Sequence, residues 1–420
     1  MRCHLALVVL TALPSCLWNR FDEEVVNAPI ELLDRPAWIL GGYSSVMAGD
    51  PERDALMVGG HPLLSSGVIF SFSKTPPTLH PACDNQARCR LLGGPVAAGD
   101  RAGGTGCFVY GVGAGPTGVG EEIGLLGGCA TGELFKLPLP TKVRTLFVEK
   151  LFQPGAGAAI FPGLLSVASA GRLLAAGSPD LSLVMILDPS KDLPSEIPAP
   201  LEADGSFAQS IALTGGQDPV LAVGAPSQGR VYIFDARGPD YTPRACLRRP
   251  GAYGVVLHGF SDRGKPRLAI SDASGIVDVV DPNKLPLAES CTEAPKEAIV
   301  DTLRCVEDDK VTGCDGGAFG YALASADLDD DGTPEVIVGA PGLNVRGVSN
   351  AGALAIFRLD PTTDQPRYLF LSSSSAEERV GSAVAAFRKD GRLVVASSAL
   401  DKQKTAIFHC AGSSPSARCN

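Results

Sequence analysis

An apolar run that ends in a small-residue turn recurs seven times along this chain, and that recurrence limits the fold more than any other feature. The copies lie at 55–60 (ALMVGG), 124–128 (GLLGG), 173–179 (LLAAGSP), 220–226 (VLAVGAP), 267–271 (RLAIS), 335–341 (EVIVGAP) and 392–397 (RLVVAS). Each is short for a globular helix and reads as a buried strand stopped by a turn. A second β-rich run follows most of them, at 68–72, 133–137, 182–187, 230–234, 276–280 and 404–408. An aromatic or apolar residue beside glycine or serine precedes many, as in Ser206-Phe207, Tyr253-Gly254 and Val380-Gly381. Successive copies are spaced by roughly 45 to 70 residues, room for one small sheet each. Glycine and proline are abundant, but 45% of residues are hydrophobic, which argues for many short strands joined by turns over a disordered chain.

The most complete copy runs from 319 to 357, FGYALASADLDDDGTPEVIVGAPGLNVRGVSNAGALAIF, and contains an acidic turn. Asp327, Asp329 and Asp331 occupy alternate positions, Gly332 follows, and Glu335 closes the turn. Alternate carboxylates converge on one centre as the backbone curls, Gly332 permits the sharp bend, and the carbonyl of Thr333 adds an oxygen, so the spacing suits a hard cation. An EF-hand is excluded. That motif needs flanking helices and a glutamate where this chain has Val338, and here the turn runs directly into the strand Val336-Ile337-Val338.

Phe319-Gly320, the DLDDDG turn, VIVGAP and the strand 353–357 together resemble the FG-GAP repeat of integrin alpha-subunit propellers. The resemblance implies an all-β chain, a seven-bladed β-propeller built from degenerate FG-GAP-like repeats over 37–409, with disulfide-containing loop insertions. It also implies bound Ca2+, with Asp327, Asp329 and Asp331 as side-chain ligands, Thr333 as a backbone ligand and Glu335 in the last acidic place, where the family more often has aspartate. The match is specific in the sixth repeat, moderate in the fourth and weak elsewhere. The turns 261–267 (SDRGKPR) and 388–392 (RKDGR) set one acidic residue among cations, so one calcium site is expected. A closed propeller has no exposed sheet edges to template aggregation.

At the start of the chain, Arg2 precedes a short apolar run ending in Leu13-Pro14-Ser15-Cys16. The run is too short to span a bilayer and reads as an export signal. Its end resembles the lipobox of bacterial lipoproteins, which implies acylation of Cys16. Residues 1–16 are thus expected to be a lipoprotein-type signal, 17–36 a tether and 410–420 a tail. Leu17 after the cysteine favours the outer membrane or cell surface, and contact with the membrane is expected only through the anchor.

The ten later cysteines, an even number in an exported chain, point to disulfides. Cys83 with Cys89, Cys107 with Cys129, and Cys410 with Cys419 form local pairs, while Cys246, Cys291, Cys305 and Cys314 admit more than one pairing. A net charge of −10 without a Lys/Arg cluster argues against nucleic acid as a partner. Gly113, Gly115 and Gly118 spell a dinucleotide fingerprint, but Pro116 and the surrounding glycines leave no helix to hold a pyrophosphate. His61, His80, His258 and His409 are scattered, and no hydrolase motif appears. The expected role is therefore a non-catalytic binding or adhesion module for a protein or glycan. An envelope-complex scaffold and a glycan hydrolase or lyase acting at the propeller funnel are the alternatives.

Overall fold

The structure, a computed structural model, describes the strands named below and, from residue 166 to 399, the segments joining them except 171–172, 188–194, 204, 217, 239, 288–289, 308–310, 315–317, 329–330, 360–367, 373–378 and 390–391. The described chain begins with β1 (Ile30–Asp34). A first sheet contains β2 (Val46–Asp50), β3 (Ala55–Gly59), β4 (Ile69–Ser71) and β5 (Thr78–Leu79), and a second β6 (Cys107–Gly113), β7 (Gly124–Cys129) and β8 (Leu134–Pro138). The third holds β9 (Ser166–Ala170), β10 (Leu173–Ser178), β11 (Leu183–Leu187) and β12 (Ser195–Pro198). The fourth holds β13 (Ser210–Leu213), β14 (Val220–Ala225), β15 (Arg230–Asp235) and β16 (Pro243–Arg248). The fifth holds β17 (Tyr253–Asp262), β18 (Lys265–Asp272), β19 (Ile276–Val280) and β20 (Ile299–Arg304).

After β21 (Val311–Thr312), the sixth sheet uses β22 (Ala322–Ala326), β23 (Glu335–Ala340), β25 (Ala353–Phe357) and β26 (Tyr368–Ser372), while β24 (Asn344–Val345) leaves it to pair with β21. The seventh consists of β27 (Val380–Lys389), β28 (Arg392–Ala399), β29 (Lys404–Ala411) and β1, with β30 (Arg418–Cys419) paired to the far end of β29. All these strand pairs are antiparallel and, β1 apart, follow chain order within each sheet. The seven small-residue signatures form β3, β7, β10, β14, β18, β23 and β28, the second strand of each sheet.

β14 and β23 are buried at every position, since the fourth and sixth sheets are covered on both faces by their neighbours. A strand in that position has no solvent face to mark, so its sequence reads as an unbroken apolar run. The sheets pack through their first strands: β9 lies on β6 and β13, β13 on β17, β17 on β22, β22 on β27, and β27 on β2. Between β17 and β22, His258 Nε2 lies 2.9 Å from Ser325 Oγ, and its ring stacks on Phe260. Burial pushes the imidazole pKa down to about 4, so it is neutral at physiological pH.

Two described features depart from the sequence expectations. Residues 30–34, expected within a tether over 17–36, form β1, with Ile30 opposite Phe408 and Asp34 opposite Lys404. The place beside β29 would otherwise be an open edge, and an early segment with three apolar residues, Ile30, Leu32 and Leu33, takes it. The expected 410–420 tail begins inside β29 and turns back as β30, which sets Cys410 opposite Cys419. Cys107 and Cys129 are likewise register partners in β6 and β7.

Of the open cysteine pairings, the structure has Cys246–Cys291 and Cys305–Cys314. The first joins β16 of the fourth sheet to the loop before β20 of the fifth. There Arg248 N–H donates to the Thr292 carbonyl (2.8 Å) and Thr292 N–H to the Cys246 carbonyl (3.1 Å), so the loop also covers part of the β16 edge. The expected Cys83–Cys89 pair and the glycines Gly115 and Gly118 lie outside the described residues, as do Cys16 and the whole signal segment.

Candidate metal centre

The acidic turn hangs between β22 and β23 beside a contact that recurs between sheets. In Phe207-Ala208, Tyr253-Gly254, Phe319-Gly320 and Val380-Gly381 the second residue has a positive φ of 70°, 81°, 85° and 100°. This corner turns the chain into the first strand of a sheet and aims a carbonyl at the preceding sheet. The carbonyls of Ala208, Gly254 and Gly381 abut Gly177, Gly224 and Gly339, where any Cβ would collide at under 3.0 Å. The glycine of the small-residue turn is thus needed for backbone-to-backbone approach. Ser166 and Ser210 add hydrogen bonds to the same carbonyls of Ala208 (3.1 Å) and Gly254 (2.6 Å). In the fifth sheet Ser271 takes the glycine place, and its Cβ packs against Gly320. The Phe319 side chain, 2% exposed, meets Phe357 edge-on at 5.9 Å, which ties the corner to the third strand of its own sheet.

With both ends fixed, the turn curls on its own carboxylates. Asp327 accepts the Asp331 N–H at Oδ1 and the Gly332 N–H at Oδ2, each at 2.9 Å. Asp331 Oδ1 accepts the Thr333 N–H at 2.7 Å. Gly332 has a φ of +84° with nothing within 4 Å of a would-be Cβ, so it is needed for its conformation alone. Glu335, 4% exposed, accepts the Leu328 N–H at Oε2 (2.8 Å), and its Oε1 lies 3.6 Å from Arg358 Nε. Glu335 therefore staples the two ends of the turn while its second oxygen faces a cation.

Of the expected ligands, the structure brings Asp327, Asp331, Thr333 and Glu335 into one turn, and Asp329 lies outside the described residues. Among the described residues no three His, Cys, Asp or Glu side chains gather in metal-holding geometry. The donors present are nonetheless all oxygen, on a backbone already bent by its own carboxylate bonds. That chemistry fits a hard cation of the calcium type.

Two residues bearing on the turn escape a reading by spacing. Arg358 was accessible in principle, since the register that sets Val336 opposite Phe357 brings the next residue beside Glu335. Arg263 carries no such signal, because it belongs to the fifth sheet. Arg263 and Gly264, with φ of 49° and 78°, form a two-residue hairpin between β17 and β18. From there Arg263 Nη2 donates to Thr333 Oγ1 at 2.5 Å. The segment 261–267, expected to be a plain turn, is this hairpin, and Arg267 folds back to ion pairs with Asp262 (3.1 Å) and Asp281 (3.0 Å).

The FG-GAP repeat family matches residues 319–357. No curated protein matches the sequence. Among solved structures, the chain is similar to Chaetomium thermophilum Raptor, at 11% identity and a TM-score of 0.51 over 94% of this chain, though it spans only 30% of that one. The Myceliophteria thermophila Cps50 (Swd1) beta-propeller domain is 14% identical with a TM-score of 0.51, over 91% of this chain and 99% of that one. A chain of a Mitotic Checkpoint Complex is 10% identical with a TM-score of 0.51, over 90% and 93%. At such identities the likeness is one of fold, and the chain is an all-β protein of antiparallel sheets, similar to β-propellers, that carries an FG-GAP repeat.

Proposed function

We propose that this chain is a calcium-binding, lipid-anchored surface propeller that acts as a non-catalytic binding or adhesion module for a protein or glycan. The observation that carries the reading is the FG-GAP repeat at 319–357 with its pre-bent acidic turn. Asp327, Asp329 and Asp331 would hold the ion by side chains and Thr333 by its carbonyl, with Glu335 completing the set. The ion would supply charge neutralisation and rigidity to the turn. The contacts between successive first strands, together with β1 beside β29, support seven sheets closed as the blades of one ring. Acylation of Cys16 would anchor that ring at the outer membrane or cell surface.

Support for docking over a purely structural platform comes from the residues that follow the corners. Val255 and Tyr321, each directly after the corner glycine of its sheet, are 38% and 56% exposed and would be open to a docked partner. The test is thermal unfolding of the exported domain in EDTA and in millimolar calcium, beside Asp329→Ala. A melting temperature that rises with calcium in the parent and not in the variant supports the reading. Equal melting of both proteins in all conditions refutes the calcium site.

A further inference from the structure

We infer that Arg263 is a built-in counter-cation of the acidic turn: it keeps the turn folded without metal and lowers its affinity for calcium. The inference rests on the calcium reading of the turn and adds a residue from a different sheet that sets how tightly the ion is held. The loops joining first to second strands touch one another in succession. A Cβ at Gly216, in the loop of the fourth sheet, would collide with the Gly264 carbonyl of the fifth, and Arg263 next to it reaches Thr333 of the sixth. Thr333 is the residue whose carbonyl would face the ion, and its hydroxyl, by accepting from Arg263, holds a full positive charge at the rim of the turn. The hairpin fixes this placement, since Arg263 and Gly264 both take the left-handed conformation that a two-residue connection demands.

The consequence has opposite signs in the two states of the turn. Without metal, the carboxylates of Asp327 and Asp331 repel each other, and the guanidinium offsets that repulsion. With a divalent ion in place, the same charge opposes the ion. A unit charge near a divalent ion at a partly exposed site is worth on the order of tenfold in affinity, and salt weakens the effect.

The test is calcium titration calorimetry of the exported domain at low and high salt, with melting in EDTA, for the parent, Arg263→Gln, Arg263→Lys and Lys265→Gln. Lys265 is an exposed cation on the same hairpin and controls for net charge. Arg263→Gln is expected to bind calcium about tenfold more tightly at low salt, with a smaller gain at high salt, and to melt lower than the parent in EDTA. Arg263→Lys and Lys265→Gln are expected to stay near the parent. Unchanged affinity in Arg263→Gln, or an equal gain in Lys265→Gln, overturns the inference while leaving the calcium reading intact. A parent that binds no calcium overturns both.

Discussion

Gly339→Ala offers a direct measure of how the sheets hold together. A Cβ at that position would stand under 3.0 Å from the carbonyl oxygen and carbon of Gly381, both backbone atoms of the next sheet. No rotamer can relieve a clash of backbone with a Cβ, so the sixth and seventh sheets must separate locally. Overpacking costs about 1 to 3 kcal/mol where side chains can adjust; with the dispersion contacts along β23 and β27 also loosened, about 3 to 4 kcal/mol is expected here.

Two other glycines calibrate the number. At Gly332 the added carbon meets nothing within 4 Å but must adopt a φ of +84°, for about 1 to 2 kcal/mol. At Gly205 there is neither clash nor positive φ, and the loss of unfolded-chain entropy leaves the variant unchanged or up to about 1 kcal/mol more stable. Equilibrium unfolding in urea, in EDTA so that metal does not enter, ranks the three. A Gly339→Ala cost no larger than that of Gly332→Ala would refute the claim that the small-residue turn exists for close approach between sheets.

Two further expectations concern other parts of the molecule. Because the folded His258 pKa lies near 4 against an ordinary 6.5, the unfolded chain binds the extra proton between those values, and stability is lost as pH falls through that window. The full shift would be worth about 3.4 kcal/mol, and since the residue keeps some solvent contact and a hydroxyl partner about 1 to 2 kcal/mol is expected; His258→Gln should flatten that part of the pH–stability curve. Removing both cysteines of Cys246–Cys291, which are 45 residues apart, should cost about 4 kcal/mol, against about 2.6 kcal/mol for the nine-residue Cys305–Cys314 link. Denaturation of the two double alanine variants gives the comparison, and a larger loss from the shorter link would contradict the loop-entropy argument.

The second and third strands of the sheets were legible in the sequence because burial on both faces leaves an apolar run, as in VLAVGA for β14 and LVMIL for β11. The outermost strands were not. β12 (SEIP) and β16 (PRACLR) each have an edge toward solvent or a loop, and their composition resembles that of ordinary turns. The corners were visible as Tyr253-Gly254 and Phe319-Gly320, but Phe207-Ala208 uses a non-glycine residue at φ 70°, which no motif announces. In the acidic turn, the spacing identified which residues share the bend. It did not anticipate that Glu335 would spend one oxygen on the Leu328 amide, or that a cation would arrive from another repeat.

The pairing of β1 with β29 bears on how the molecule comes into being. β1 is made long before its partner β29, so it is an unpaired edge until the seventh sheet is delivered. The long loop closure makes this latch a late step of folding, after neighbouring hairpins have formed on their own. A chain cut shortly before Lys404 would keep its first six sheets and leave β1 without a partner. Loss of β1 and loss of β29, far apart in the sequence, would therefore each leave the seventh sheet with an open edge.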